Sequence, residues 1–256
     1  MSIIRNSSKI DTKLTTMITS SIVIICSIVV IILSYVIAYK HPVQNYNELI
    51  GSYFDSRMIH STETFFNLLM ALFIIPSMIG IILFLRTKIN PKLKNWLLLP
   101  LVSSVLGAAL VVALYCVKIM IIYKLVPDII NNPSDTSLVD QFLNLATLTD
   151  QLSALAFILL YTIGTGALGI FTLRISISGG NLSWLAIATG ILALGKIGYF
   201  IDSVFGSALT LAASMGVIAY FVWLGGFVSI LFQARKESKM DKMVEIDEFD
   251  ENELES

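Results

Sequence analysis

Charge is scarce in this chain: Asp, Glu, Lys and Arg make up 14% of its 256 residues, against 56% apolar residues. Soluble domains carry about a quarter charged residues, so this balance, with a mean hydropathy of +0.82, excludes an ordinary soluble fold. An excess of either sign is missing too, and a formal net charge of −1 leaves no basic surplus for nucleic acid. Cysteine is limited to Cys26 and Cys116, both inside apolar stretches and at depths of roughly 13 Å and 30 Å from one membrane face, too far apart for a disulfide. Both read as packing residues. No Ser-His-Asp set, H-E-x-x-H pair, phosphate loop or paired intramembrane aspartates occur, which places enzyme chemistry behind binding. The first apolar run lacks a small-x-small exit before Lys40 and reads as a retained helix rather than a cleaved signal.

What the chain does have is length in its apolar runs. About twenty helical residues cross a hydrocarbon core, and six stretches qualify, near 17–39, 65–85, 96–118, 151–173, 183–203 and 208–232. The expected fold is all-α, a polytopic bundle of six transmembrane helices, after a short N-terminal segment 1–16 and before a tail 233–256. Twelve Lys and Arg fall on the side of both termini, four on the other side, and Lys196 lies within a span. The positive-inside bias then puts both termini in the cytoplasm of a cell-membrane protein. The outer side carries two longer connections, Lys40–Thr64 and Ile119–Asp150, with Pro127 and Asn131–Asp135 marking a turn and Leu138–Leu148 forming a short surface helix. The tail is basic to Lys242 and then holds seven acids between Glu245 and Glu255, a composition expected to be disordered.

Gly164-Thr165-Gly166-Ala167-Leu168-Gly169 spells a dinucleotide fingerprint, but it lies mid-span rather than between a strand and a helix, so no cofactor is expected. Its glycines, with Ser103 and Gly107, Ala186 and Gly190, and Ala208, Ala212 and Gly216, form small-residue stripes. Such stripes mark close helix contacts, within the bundle or with another copy or a helical partner. His60 and Glu63 share a helix face, yet two ligands are too few and the only other histidine is His41, so no metal is expected. Their reading is an exposed helix start, with Glu63 near the positive end of the dipole.

The costliest residue is Lys196, roughly 20 Å into a 30 Å core. On an α-helix Asp202 lies about 9 Å further along and about 120° round, so the two do not pair well. Tyr199 lies three residues from each, and Gly195 and Gly198 leave room beside them for another helix, water or ligand. Tyr115, Lys118, Asn67, Asp150 and Gln151 reach a similar depth from other spans. The expectation is an outward-opening polar pocket among spans two to five, with Lys196, Tyr199, Asp202, Lys118, Tyr115, Asn67 and Asp150 as its ligand-binding residues.

The run Gly198-Tyr199-Phe200-Ile201-Asp202-Ser203 resembles the G-Y-hydrophobic-hydrophobic-D-S stretch in the fifth helix of the bacterial and archaeal family named domain of unknown function 4386. The short loop between the fourth and fifth spans, and Leu83–Arg86 followed by Asn90-Pro91, add to the likeness. The resemblance implies a six-helix integral membrane protein and no particular activity. Three functional expectations follow from the residues: binding or transport of a small solute, ion or lipid; a membrane enzyme acting on a lipid or isoprenoid with Asp202, Glu63 or His60 as acid or base; and a scaffold or sensor subunit. The bilayer itself is the one partner common to all three.

Overall fold

The computed structural model describes residues 11–40, 46–175, 180–201 and 204–254. Among these every regular element is a helix, and six helical stretches are long and apolar enough to cross a membrane. They comprise α1 (Thr12–Lys40), α3 (Arg57–Arg86), Pro91–Asn131, Thr136–Leu173, Asn181–Gly198 and Ala208–Glu237. The third joins a 3-10 turn, Pro91–Leu97, to α4 (Leu98–Met120), a π turn (Ile121–Leu125) and α5 (Val126–Asn131). The fourth joins α6 (Thr136–Phe157), a π turn (Ile158–Thr165) and α7 (Gly166–Leu173). The fifth is α8 (Asn181–Ala193) followed by a 3-10 segment, Leu194–Phe200, and the sixth lies in α9 (Val204–Leu254). A short α2 (Tyr46–Asp55) precedes α3.

Each span packs on the next in sequence, and α9 returns to pack on α1, so the six close into a ring. The closure is tied by Lys13, whose ammonium donates to the Ala234 carbonyl at 3.0 Å, and by Arg235 paired with Asp11 at 2.8 Å. The start of α1 and this part of α9 define what is called here the terminal end; α2 and the turn after Asn131 lie at the distal end. Inside the ring an aromatic column runs Phe157–Tyr161–Tyr220–Trp223–Phe227–Phe84, with successive centroids 4.5–5.9 Å apart. Rings offset or edge-on at such separations attract beyond their buried area. Outward, α1 exposes Ile18, Ile25, Ile28, Ile32 and Tyr35, a surface suited to lipid chains rather than water.

Most spans outrun their expected limits, the fifth ending short of its own at Phe200, and local chemistry explains where. Pro127 lacks an N–H and would leave the carbonyl one turn earlier without a donor; the π turn just before it takes up the mismatch, so the helix continues instead of turning. The turn falls later, before Asp135, which caps α6 by accepting from Ser137 N at 2.9 Å. Leu138–Leu148 is consequently part of α6, continuous with the fourth span, and not a separate surface helix. α9 also runs on to Leu254 through the segment expected to be disordered, and propagating a nucleated helix costs little.

Most of the small-residue stripes face inward, although Ala208 is exposed and Ala212 half-buried. An added Cβ on Gly190 would come within 2.9 Å of Gly166 Cα, and one on Gly169 within 2.7 Å of the Ser183 carbonyl oxygen, so α7 and α8 touch backbone to backbone. Ser103, Gly107, Ala186 and Gly216 are buried within the same ring. Their close contacts are therefore made inside the bundle.

Candidate functional site

The buried face of α3 repeats at three- and four-residue spacing through His60, Glu63, Asn67, Met70, Ile74, Met78, Ile81 and Leu85. α3 starts at Arg57, ahead of the apolar span expected from 65, and its register places His60 and Glu63 on the interior stripe. The sequence reading of an exposed helix start is thus corrected: Glu63 is buried. A buried carboxylate needs charge compensation and donors, and other elements supply them. From α4, Lys118 Nζ reaches Glu63 Oε2 at 2.7 Å; from α1, Ser34 Oγ donates to Oε1 at 3.0 Å. His60 Nδ1 stands 3.8 Å from Oε2, within ion-pair range but beyond a hydrogen bond. Its Nε2 lies 3.3 Å from Ser52 Oγ, and Tyr53 of α2 packs tilted against its ring with centroids 4.5 Å apart. The two charged side chains are only 11% and 16% exposed, so their attraction is little screened.

One turn below Glu63, Asn67 donates its amide to the Glu63 backbone carbonyl at 3.0 Å and lines a cavity of about 120 Å³. Its polar lining is Asn67, Tyr115, Ser153 and Tyr161; Met70, Phe157 and Leu160 supply apolar wall. Lys118 Nζ sits 5.6 Å from the Tyr115 ring, which links the ion pair to the cavity wall. Thr64 Oγ1 and His60 Nδ1 are buried without a hydrogen-bond partner among the described residues, so the site retains polar capacity. On the terminal side the cavity meets Tyr161, the upper part of the aromatic column. At the distal end Ile50, Ile121, Leu125, Val126, Ile129 and Phe142 form a separate apolar cluster, against which Tyr53 packs.

The structure divides the residues expected to form one pocket. Asn67 and Tyr115 line the cavity, and Lys118 anchors Glu63 beside it. Lys196 belongs to a second place, with its ammonium 5.3 Å from the Phe157 ring and in electrostatic contact with Asp150. Phe157 has one side toward the cavity and meets Lys196, so the two places share a wall. Among the described residues the cavity is lined by spans two to four and not by span five. The side chain of Tyr199, all of Asp202, and His41 lie outside the described residues.

The α-helical geometry used for Lys196 and Asp202 does not hold, because α8 tightens to a 3-10 segment after Ala193. That segment has a longer rise and threefold repeat, which changes both depth and rotation. The space beside Gly195 and Gly198 is filled by α9, since an added Cβ would strike the carbonyl oxygens of Leu209 and Gly206 respectively. Among the described residues no three His, Cys, Asp or Glu side chains gather as a metal site, and Asp150 faces Lys196, not His60 and Glu63.

Ser34, Ser153 and Tyr161 were not foreseen. Glu63 and Asn67 carried a usable signal, polar residues continuing the buried stripe of α3, whereas a lone serine in α1 carries none.

Six helices long and apolar enough to cross a membrane, closed in a ring, place the chain in the class of multi-pass helical membrane proteins. Compared with known protein families, curated proteins and solved structures, it matches none.

Proposed function

We propose that this membrane protein binds a small, largely apolar solute with one or two polar groups in the cavity beneath the Glu63–Lys118 pair, with both termini cytoplasmic and the cavity in the outer half of the cell membrane. The observation that carries the reading is the convergence of Asn67, Tyr115, Ser153 and Tyr161 on one cavity directly below a buried ion pair. Binding sites of this kind are mostly apolar with a few placed polar groups that orient the ligand. A volume of about 120 Å³ suits a molecule of few heavy atoms or the end of a chain. Phe157 and Tyr161 of the aromatic column wall the cavity and pack on toward Tyr220, which favours a binding site over an open pore. The orientation is supported by the twelve-to-four distribution of Lys and Arg. The resemblance of residues 198–203 to a six-helix family agrees with the architecture and adds no ligand.

The acid–base reading is less favoured for Glu63, which Lys118 and Ser34 engage as a charge anchor. Thermal stability of the purified protein across a library of small solutes and lipid fragments tests the proposal, repeated for Asn67→Leu and Ser153→Val. A compound that raises the melting temperature of the wild type and not of the variants supports cavity binding. A compound that stabilises all three equally overturns it.

A further inference from the structure

We propose that the cleft between α1, α3 and α9 at the terminal end binds a phospholipid, its phosphate held by Lys13 and Lys88 and one acyl chain laid along Leu83. This rests on the chain crossing a membrane and is independent of the cavity reading. The cleft measures about 590 Å³ and has the polarity gradient of a lipid. Its inner part is apolar, with Leu83, Phe84 and Leu231; its rim is polar, with Lys13, Thr87 and Lys88. It straddles the level at which α3 passes from its apolar run into Arg86 and Lys88, where a phospholipid passes from chain to phosphate.

The charges favour an anion at the rim. Lys13 spends one of its three N–H groups on the Ala234 carbonyl and keeps the others. Lys88 is exposed and has no ion pair among the described residues. Asp11, just ahead of α1, is occupied by Arg235 at 2.8 Å, a contact that ties the start of α1 to α9. Glu237 is the one acid among the described lining residues and opposes the anion, which makes its charge a signed probe of where the phosphate sits. Basic pockets between spans at a membrane face recognise lipid phosphates by this combination of charge and adjoining apolar surface.

The test is native mass spectrometry of the full chain in detergent micelles, titrated with short-chain phosphatidylglycerol, with a diacylglycerol of the same chains, and with inorganic phosphate. Phosphatidylglycerol should bind, and each lysine near a membrane phosphate should account for about fivefold. Lys88→Gln should therefore weaken binding about fivefold and the Lys13→Gln/Lys88→Gln pair about thirtyfold, whereas Glu237→Gln should strengthen it. Lys92→Gln/Lys94→Gln, outside the cleft, should leave binding unchanged. Because Lys13 also ties α1 to α9, Lys88→Gln alone decides the matter if the pair fails to fold. The proposal is overturned by undiminished binding in Lys88→Gln, by an equal loss in Lys92→Gln/Lys94→Gln, by equal binding of the phosphate-free diacylglycerol, or by full competition from millimolar inorganic phosphate, which would assign the cleft to a soluble anion.

Discussion

Replacing Lys118 by methionine removes the ammonium while keeping the length and much of the apolar stem, and leaves Glu63 as a buried carboxylate with one hydrogen bond, from Ser34. At a separation of 2.7 Å and an effective dielectric near 20, the lost attraction is about 6 kcal/mol. Against this, the variant no longer desolvates an ammonium, which returns several kcal/mol. The expected net cost is about 3–5 kcal/mol, the range found when one member of a buried pair is removed. Glu63→Gln in the same background removes the stranded charge, and the double variant should return to within about 1 kcal/mol of the wild type. Reversible unfolding in mixed dodecyl maltoside and dodecyl sulfate micelles, read by circular dichroism, measures Lys118→Met, Glu63→Gln and the double variant and yields the coupling between the sites. A cost below 1 kcal/mol for Lys118→Met, or a double variant as unstable as the sum of the singles, would refute a closed ion pair at this position.

Four further outcomes can be checked by similar means. Gly169→Ala would press a methyl against the Ser183 carbonyl and Ile187 N at 2.7 and 2.8 Å, both backbone atoms, and should destabilise the protein by about 1–3 kcal/mol in thermal melts. Gly225→Ala, where nothing lies within 4 Å, should instead be neutral or gain up to about 1 kcal/mol of helix stability. Trp223→Ala empties the centre of the aromatic column, where the indole is 1% exposed, and should cost about 3–5 kcal/mol in the same melts. The Asp11 carboxyl is held below its ordinary value chiefly by the Leu14 N–H and then by Arg235. A folded-state pKa lower than the unfolded one stabilises above the ordinary value near 4 and loses that contribution as pH falls through the folded value. The melting-temperature advantage of wild type over Asp11→Asn should thus be full at pH 6 and shrink below about pH 4; an advantage that grows on acidification would contradict the contact.

Much of the fold was legible because crossing a membrane is a local property. Twenty or so apolar residues suffice for each span, whatever the others do, and the stripes at Gly166, Gly169 and Gly190 announced close helix contact before any partner was known. The site was legible in part. Asn67, Tyr115 and Lys118 were singled out by depth alone, and depth is nearly linear in residue number along a straight helix. Depth does not say which residue faces which, and Lys118 was placed with Lys196 when it belongs with Glu63.

By itself, then, the sequence determined that this is a helical chain with six apolar spans, that its lysines and arginines gather on one side, and that Lys196 would need company, while Glu63 read as an exposed residue. Only the tertiary structure decided the company. The register of α3 turned Glu63 inward, the π turns before Pro127 and after Phe157 reset the faces of the third and fourth spans, and the 3-10 segment after Ala193 brought Lys196 against Phe157 and Asp150. Each of these shifts the angular register of every residue beyond it, and pairing across a ring of helices depends on that register, which hydropathy does not encode.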